Sequence, residues 1–453
     1  GLAMKNTIMR NWIVAIVVIA VVAALVVLSG LFRTSSVAPQ AQQTLSPERM
    51  QALIPRGREL ALAGDCFGCH SMPQGQRGLR LGFFEVCGLR GDHAGGLAIA
   101  TPFGTLYSTN ITPDKQYGIG NYTRADFHRV MRDGIAPGER NLYPAMPFVF
   151  SHITTPDDID ALYAYNMSIP AMPIANKSNT GVFVLPVRPF MDFWTLLNFP
   201  DRKVLRNDQR SAEWNRGVYL VEGLAHCGSC HSPRNFMMGV EFSRSLQGGE
   251  VDGVVVPDIT AAALAKRGFD VPTLSTYLAT GMAPQGTSFD SMYTVTHFST
   301  SAMEPEDVKA VAIYLLTGKD GKLALPAASP VPLPQAAVPK NGTPMAAGRL
   351  AYMASCAGCH GMEGEGIPNV SPAMKGNAAL AMDNPQTIIN VVLNGTPTQI
   401  FKNGERMYAM PPFAHRLNAP EVADLVTWIR AEWGGQTVPV TVEQVSTQET
   451  AVK

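Results

Sequence analysis

The sequence predicts an all-α fold, three small helical domains in tandem behind one N-terminal transmembrane helix. Two observations carry that expectation. One is a run of 21 residues without a charge, Trp12 to Phe32, which matches the roughly 20 residues an α-helix needs to cross the hydrocarbon core. The other is internal repetition. Three copies of one plan open with a short helix, pass through Gly- and Pro-rich loops and close with an amphipathic helix.

A cleaved secretory signal is the competing reading of the apolar run, but its apolar core usually spans only about 7–15 residues. The longer run is expected to remain as a membrane anchor, residues 1–33. Lys5 and Arg10 precede it and only Arg33 follows closely. The positive-inside rule then keeps the N-terminus in the cytoplasm and exports the body. A polar tether, 34–48, leads to the first copy. No later stretch reads as a span, because the nearest, Val182 to Phe199, contains Arg188, Asp192, Pro186 and Pro189.

The first copy, expected at 49–168, opens with RGRELALAGDCFGCH (Arg56 to His70) and closes with TPDDIDALYAY from Thr155. The second, at 207–318, opens with NRGVYLVEGLAHCGSCH (Asn215 to His231) and closes with EPEDVKAVAIYLL from Glu304. The third, at 345–434, opens with AAGRLAYMASCAGCH (Ala346 to His360) and closes with APEVADLVTWIRAEW from Ala419. Each closing segment has a proline in its first turn followed by acidic residues, which suits the missing donor and the positive end of the helix dipole. Val308, Val311 and Leu315 recur at helical spacing.

The linkers differ in composition. The first, 169–206, is rich in proline and aromatics; its MDFWTLLNF segment (Met191 to Phe199) is expected to pack between domains, with docking at a membrane interface as the alternative. The second, 319–344, contains PAASPVPLPQAAVPKNGTP and reads as extended and semi-rigid. The polar tail, 435–453, has no closing apolar span and is expected to be disordered or to lie on a partner.

Apolar residues make up 46% of the chain, charged residues 16%, and the formal net charge is +0. A nucleic-acid binder carries a basic excess or stripe, and none is present. Partners must therefore be argued from sites.

Six of the seven cysteines supply the sites: Cys66 and Cys69 before His70, Cys227 and Cys230 before His231, Cys356 and Cys359 before His360. In a Cys-x-x-Cys-His unit each thiol can add to one vinyl group of a single porphyrin, and the adjacent histidine supplies the proximal imidazole. A redox dithiol or half a zinc site is possible for one isolated pair. Three pairs at the same point of a repeat point to three covalently bound haem c groups, and hence to three class I cytochrome c domains. Export agrees, since bacteria complete covalent haem attachment outside the cytoplasm.

The other axial position separates electron transfer from catalysis. A side chain there makes the iron six-coordinate, and methionine raises its potential. Met146, in NLYPAMPF, and Met410, in MYAMPPF, both precede proline and both lie ten positions before the proline of their closing helix. They are the expected sixth ligands of repeats one and three. In repeat two Met303 is too close to the closing helix and Met282 too far; Met292 fits with a slightly longer loop, and His297 is its rival. Cys87 lacks a partner in motif spacing and reads as a buried free thiol or as a bridge to a partner subunit. His93, His128, His152, His226 and His415 are expected on the surface or behind a ligand.

The exported part resembles the triple-haem cytochrome c subunit of membrane-bound dehydrogenases of acetic acid bacteria and their relatives. STNITPD (Ser108 to Asp114), NLYPAMPF, SAEWNRGVYLVEGLAHCGSCHSPRN (Ser211 to Asn235) and AMPPFA (Ala409 to Ala414) carry the resemblance. It implies that electrons pass from a separate catalytic dehydrogenase subunit to ubiquinone, with the cysteines and histidines above holding haem and Met146, Met292 and Met410 as sixth ligands. The implied partner is a quinoprotein alcohol dehydrogenase, a flavin sugar-acid dehydrogenase, or a molybdenum aldehyde dehydrogenase with a small iron–sulphur subunit. The N-terminal anchor and the Cys87 insertion depart from the alcohol and sugar-acid types and favour the aldehyde type. The implied place is the inner membrane, with the haem domains in the periplasm. A haem peroxidase would instead need an open sixth site, for which only repeat two is eligible.

Overall fold

The computed structural model describes residues 39–71, 93–200, 206–251, 254–326 and 342–451, together with 24, 37 and 202. The anchor Trp12–Phe32 (save residue 24), Cys87 with most of its insertion, and most of the Pro-rich linker lie outside the described residues. Among the described residues no helix is long and apolar enough to cross a membrane.

Each repeat is built on a crossed pair of helices. In repeat one the opening helix Pro47–Ala63 packs on the closing helix Pro156–Ser168. In repeat two Ala212–Tyr219 packs on Pro305–Leu316, and in repeat three Pro344–Ser355 on Ala419–Gly434. The caps explain where the closing helices begin. The hydroxyl of Thr155 accepts from the amide of Asp158, and Asn418 forms a reciprocal capping box with Glu421, each with proline just inside.

Glycine permits the crossing. A Cβ on Gly57 would lie 1.9 Å from the carbonyl oxygen of Ala161, one on Gly217 2.2 Å from that of Ala310, and one on Gly348 2.1 Å from that of Asp424. One turn further along, the same Cβ would meet Tyr165, Tyr314 or Trp428. The three repeats thus share one contact, glycine backbone against the i and i+4 positions of the closing helix.

The chain is mostly helical rather than strictly all-α. Five short antiparallel hairpins are present among the described residues, the longest pairing Gln247–Val251 with Val254–Asp258. They lie in the loop-rich stretches, where glycines at positive φ such as Gly104 (φ 136°) and Gly286 (φ 147°) allow tight reversals. Repeat two has one residue more than repeat one between its crossing glycine and its first cysteine. A π-helical turn, Leu220–Leu224, absorbs it.

The repeats interlock. Ala63 of repeat one packs into the core of repeat two, and Leu224 of repeat two into the core of repeat one. Asp158 accepts both from Arg56 and, across the junction, from the Tyr219 hydroxyl at 2.7 Å. Between repeats two and three, the Tyr293 hydroxyl donates to the carbonyl of Ile400 at 2.9 Å and its ring packs edge-on against Phe401.

The described part of the first linker is strapped to repeat one and packs against repeat two. Asn176, Asn179 and Thr180 accept from the amides of Asn110, Tyr107 and Thr105, strapping it to repeat one. Its helix Phe190–Asn198 buries Trp194 against Phe148, Val149 and Phe150, and the indole donates to the Met237 carbonyl of repeat two at 2.9 Å. The Trp194 face of this segment therefore packs between domains, as expected, and its other face is exposed.

The polar tail differs from expectation. It folds back as helix Val442–Ala451 against repeat three, with Val440 and Val445 buried in that core. Two valines at the right spacing suffice, and the Val440 amide is satisfied by the Thr427 hydroxyl.

A buried charge network braces repeat one. Arg124 makes a bidentate pair with Asp160, which also accepts from His128 Nε2 at 2.8 Å. Burial works against the Asp160 carboxylate, but the hydrogen bonds from His128 and Arg124 prevail and its pKa is lowered. A depressed carboxyl pKa contributes stability that is present above the unfolded value and is lost as pH falls through the folded one. Asp160→Asn is therefore expected to flatten the acid side of the stability–pH profile of repeat one, measured by thermal melts between pH 3 and 7 (about the carboxylate range and above).

Candidate functional site

Each Cys-x-x-Cys-His motif sits on a short helical turn directly after its opening helix: Cys66–His70, Gly228–His231 and Ala357–His360. In the first two the residue before the leading cysteine, Asp65 (φ 49°) or His226 (φ 39°), is left-handed, which swings the chain off the opening helix.

The histidines are held alike. Nδ1 of His70 donates to the carbonyl of Thr109 at 2.6 Å, Nδ1 of His231 to that of Pro257 at 2.7 Å, and Nδ1 of His360 to that of Pro372 at 3.0 Å. Because a carbonyl only accepts, Nδ1 carries the proton and Nε2 presents its lone pair, as a metal ligand must. Burial lowers the pKa of all three, His231 to about 4, so each imidazole is neutral at physiological pH.

A deeper equivalence joins repeats one and two. The serine after each motif, Ser71 or Ser232, accepts from the amide of a left-handed residue, His93 or Leu246 (both φ 65°). That residue's carbonyl accepts from Ile111 or Ile259, two positions after the carbonyl that holds the histidine. The related strings Asn110-Ile111-Thr112 and Asp258-Ile259-Thr260 are the sequence signal that marks this brace.

The thiols do not resemble a redox dithiol, which works through a lowered pKa. Burial, then the neighbouring Asp65 carboxylate, pushes Cys66 up to about 12; burial, then Glu222, does the same for Cys227, and burial holds Cys356 at about 11. Thiols such as Cys66, Cys227 and Cys356, partly buried and kept neutral beside a histidine with a free Nε2, fit covalent haem.

The methionines sort by core. Met146 packs against the cluster that includes Cys66, Met292 against that of Cys227, and Met410 against that of Cys356. Met410 exchanges two backbone hydrogen bonds with Thr396, and Gly395 (φ 67°) leaves room for its carbonyl. Met292 lies in the first turn of helix Asp290–Phe298 rather than in the loop its spacing implied. Met303 is core, 9% exposed, and Met282 packs with Tyr293, Phe401 and Met407. The His297 ring stacks on Tyr293 at 5.2 Å.

Of the five histidines expected on the surface or behind a ligand, His415 is exposed, His226 is partly buried, and His93, His128 and His152 are buried. His128 serves the Asp160 network, and His152 Nδ1 donates to the Arg132 carbonyl.

Known proteins resemble this chain over most of its length. The cytochrome c family model matches residues 345–433. One of the nicotinate dehydrogenase subunits of Pseudomonas putida is 37% identical over 84% of the chain, a match that spans 30% of that protein. The cytochrome c subunit of the quinone alcohol dehydrogenase of Gluconacetobacter polyoxogenes is 33% identical over 86% of the chain and 82% of its own length. The gluconate 2-dehydrogenase cytochrome c subunit of Pantoea cypripedii is 34% identical over 87% of the chain and 89% of its own length. The chain thus spans less than a third of the first relative and most of the other two.

Proposed function

The chain belongs to the family of cytochrome c subunits of membrane-bound, quinone-dependent dehydrogenases, and we propose that it relays electrons through three c-type haems from a periplasmic catalytic subunit to ubiquinone. One observation supports this above others. All three motifs present a neutral imidazole with its Nε2 free, and the methionine that the spacing picks for each, Met146, Met292 or Met410, packs on the same core as that motif's first cysteine, among other methionines. In this reading His70 with Met146, His231 with Met292, and His360 with Met410 would hold the three irons, and Cys66, Cys69, Cys227, Cys230, Cys356 and Cys359 would anchor the haems through thioether bonds. The haems supply one-electron chemistry. The protein fixes each histidine tautomer, and a methionine on each iron would withhold peroxidase-type chemistry.

The packing between repeats suits a relay. Reciprocal burial of Ala63 and Leu224, and the Tyr293–Ile400 bonds, hold neighbouring motifs in one arrangement rather than on free tethers. For the catalytic partner we favour a molybdenum aldehyde dehydrogenase with a small iron–sulphur subunit, on the N-terminal anchor and the Cys87 insertion. A quinoprotein alcohol dehydrogenase or flavin sugar-acid dehydrogenase is the alternative, since relatives carry alcohol and gluconate in their names. The complex purified from native membranes is expected to contain one molybdenum per three haem irons. Its absence, with flavin or pyrroloquinoline quinone in its place, would reassign the partner and leave the relay standing.

A further inference from the structure

The first linker helix has two faces. Trp194, Thr195 and Asn198 are buried, whereas Phe190, Leu196 and Leu197 are exposed, the two leucines at 56% and 57%. Val184 and Leu185 just upstream are exposed as well. Next to the leucines opens a cavity of about 220 Å³ lined by Leu196, Leu197, Phe199, Val240, Phe242 and Asn235. In the chain, Phe236, 93% exposed, follows Asn235 of that lining directly, and Met238 is exposed two positions further on. Such a collection of unpaired apolar side chains on one rim marks an interaction site.

The cavity backs onto the second motif. The ring of Phe242 lies 5.3 Å from that of Phe150, and Phe150 sits 3.0 Å from where a Cβ on Gly228 would stand, between Cys227 and Cys230. The side chains that line it are apolar except for the amides of Asn198 and Asn235, and polar backbone and amide atoms share its surface with them. Asn235 donates one amide hydrogen to Asn198 Oδ1 at 2.7 Å, and its other has no partner among the described residues. The Arg202 guanidinium lies 4.4 Å from the centre of the Phe242 ring, on Glu222, so the charge sits behind the wall.

We propose that this cavity is where the membrane quinone is reduced: the ring enters between Phe199, Val240 and Phe242, one carbonyl accepts from Asn235, and the isoprenoid tail leaves past Leu196, Leu197 and Phe236. The proposal rests on the relay reading above and deepens it. The volume suits one substituted ring, below the range of pockets that enclose a drug-sized ligand. Two electrons arrive singly by way of repeat two and two protons come from water at the mouth. The quinone becomes quinol, and the chain is left oxidised by two electrons.

The test uses the full haem-loaded chain in detergent, reduced with dithionite to the end point without excess, then mixed with ubiquinone-1 or, as a control, ferricyanide. Haem reoxidation is followed by stopped-flow absorbance. Val240→Trp fills the cavity and Leu197→Glu charges its mouth. Each is expected to slow reoxidation by ubiquinone-1 by about tenfold or more, the equivalent of about 1.4 kcal/mol, and to leave the ferricyanide rate unchanged. Unchanged quinone rates in both variants overturn the cavity and leave the relay intact. If the variants lose haem, an azido-quinone photolabel on the unaltered chain decides, with label in 196–200 or 235–242 supporting the site and label confined elsewhere overturning it. A parent chain that ferricyanide oxidises and ubiquinone-1 does not would overturn the relay to quinone, and the cavity with it.

Discussion

Met410→Ala is expected to turn the third haem from low-spin to high-spin and to lower its potential by on the order of 100 mV or more, within the ~0.8 V span that axial ligands command. Met410 stands in the core that holds Cys356, on a strand bridge to Thr396 that leaves its backbone little freedom. The short side chain of alanine cannot bridge to iron, so the sixth site opens and one of three redox steps moves. Met146→Ala is expected to do the same in repeat one. Repeat two supplies the discriminating comparison. Met292→Ala should open its haem, whereas Met303→Ala, in the core beside Val308 and Leu315, should lower stability and leave the spectrum alone. His297→Ala should also leave it alone, its ring being stacked on Tyr293. Room-temperature absorption and a redox titration of each variant read both effects. A low-spin second haem in Met292→Ala would remove that residue from the ligand set.

Gly217→Ala is expected to destabilise repeat two, although the same change inside an ordinary helix stabilises by roughly 0.5–1 kcal/mol. The sign is diagnostic. The added methyl would stand 2.2 Å from the Ala310 carbonyl oxygen and 2.6 Å from the Tyr314 Cβ, and neither is the free end of a flexible chain. Overpacking of this kind costs about 1–3 kcal/mol, which outweighs the propensity gain. Gly57→Ala and Gly348→Ala should behave alike, because the oxygens of Ala161 and Asp424 stand in the same place. Thermal melts of the haem-loaded chain should show one transition falling by several degrees in each variant, at roughly 4–8 °C per kcal/mol for a domain of this size. An unchanged or raised midpoint would mean that the helices do not cross as described.

What the sequence reveals and what it hides divide along sequence separation. The closing helices announce themselves locally, through Pro156, Pro305 and Pro420 and the acidic residues beside them. The motifs name their own cysteines and histidines. The partners of those histidines are backbone carbonyls 12 to 39 positions away, and a carbonyl has no residue type to betray it. Only the recurring Ile-Thr of Ile111-Thr112 and Ile259-Thr260 hints at the shared brace. The tail has no apolar run to announce a helix, yet Val440 and Val445 show that two buried side chains can seat one on an existing core. The aromatic content of the first linker points to packing between domains, whereas the acceptor of Trp194, the Met237 carbonyl, is visible only in three dimensions. The helical setting of Met292 escapes a comparison of spacing with repeats one and three, whose methionines lie outside helices.

Whether three six-coordinate haems form one relay is tested most directly by an anaerobic spectroelectrochemical titration of the full haem-loaded chain. The expected result is three one-electron transitions per polypeptide, with every haem low-spin in both oxidation states and none binding carbon monoxide. Fewer than three transitions, or a high-spin ferric component that takes up carbon monoxide on reduction, would contradict it.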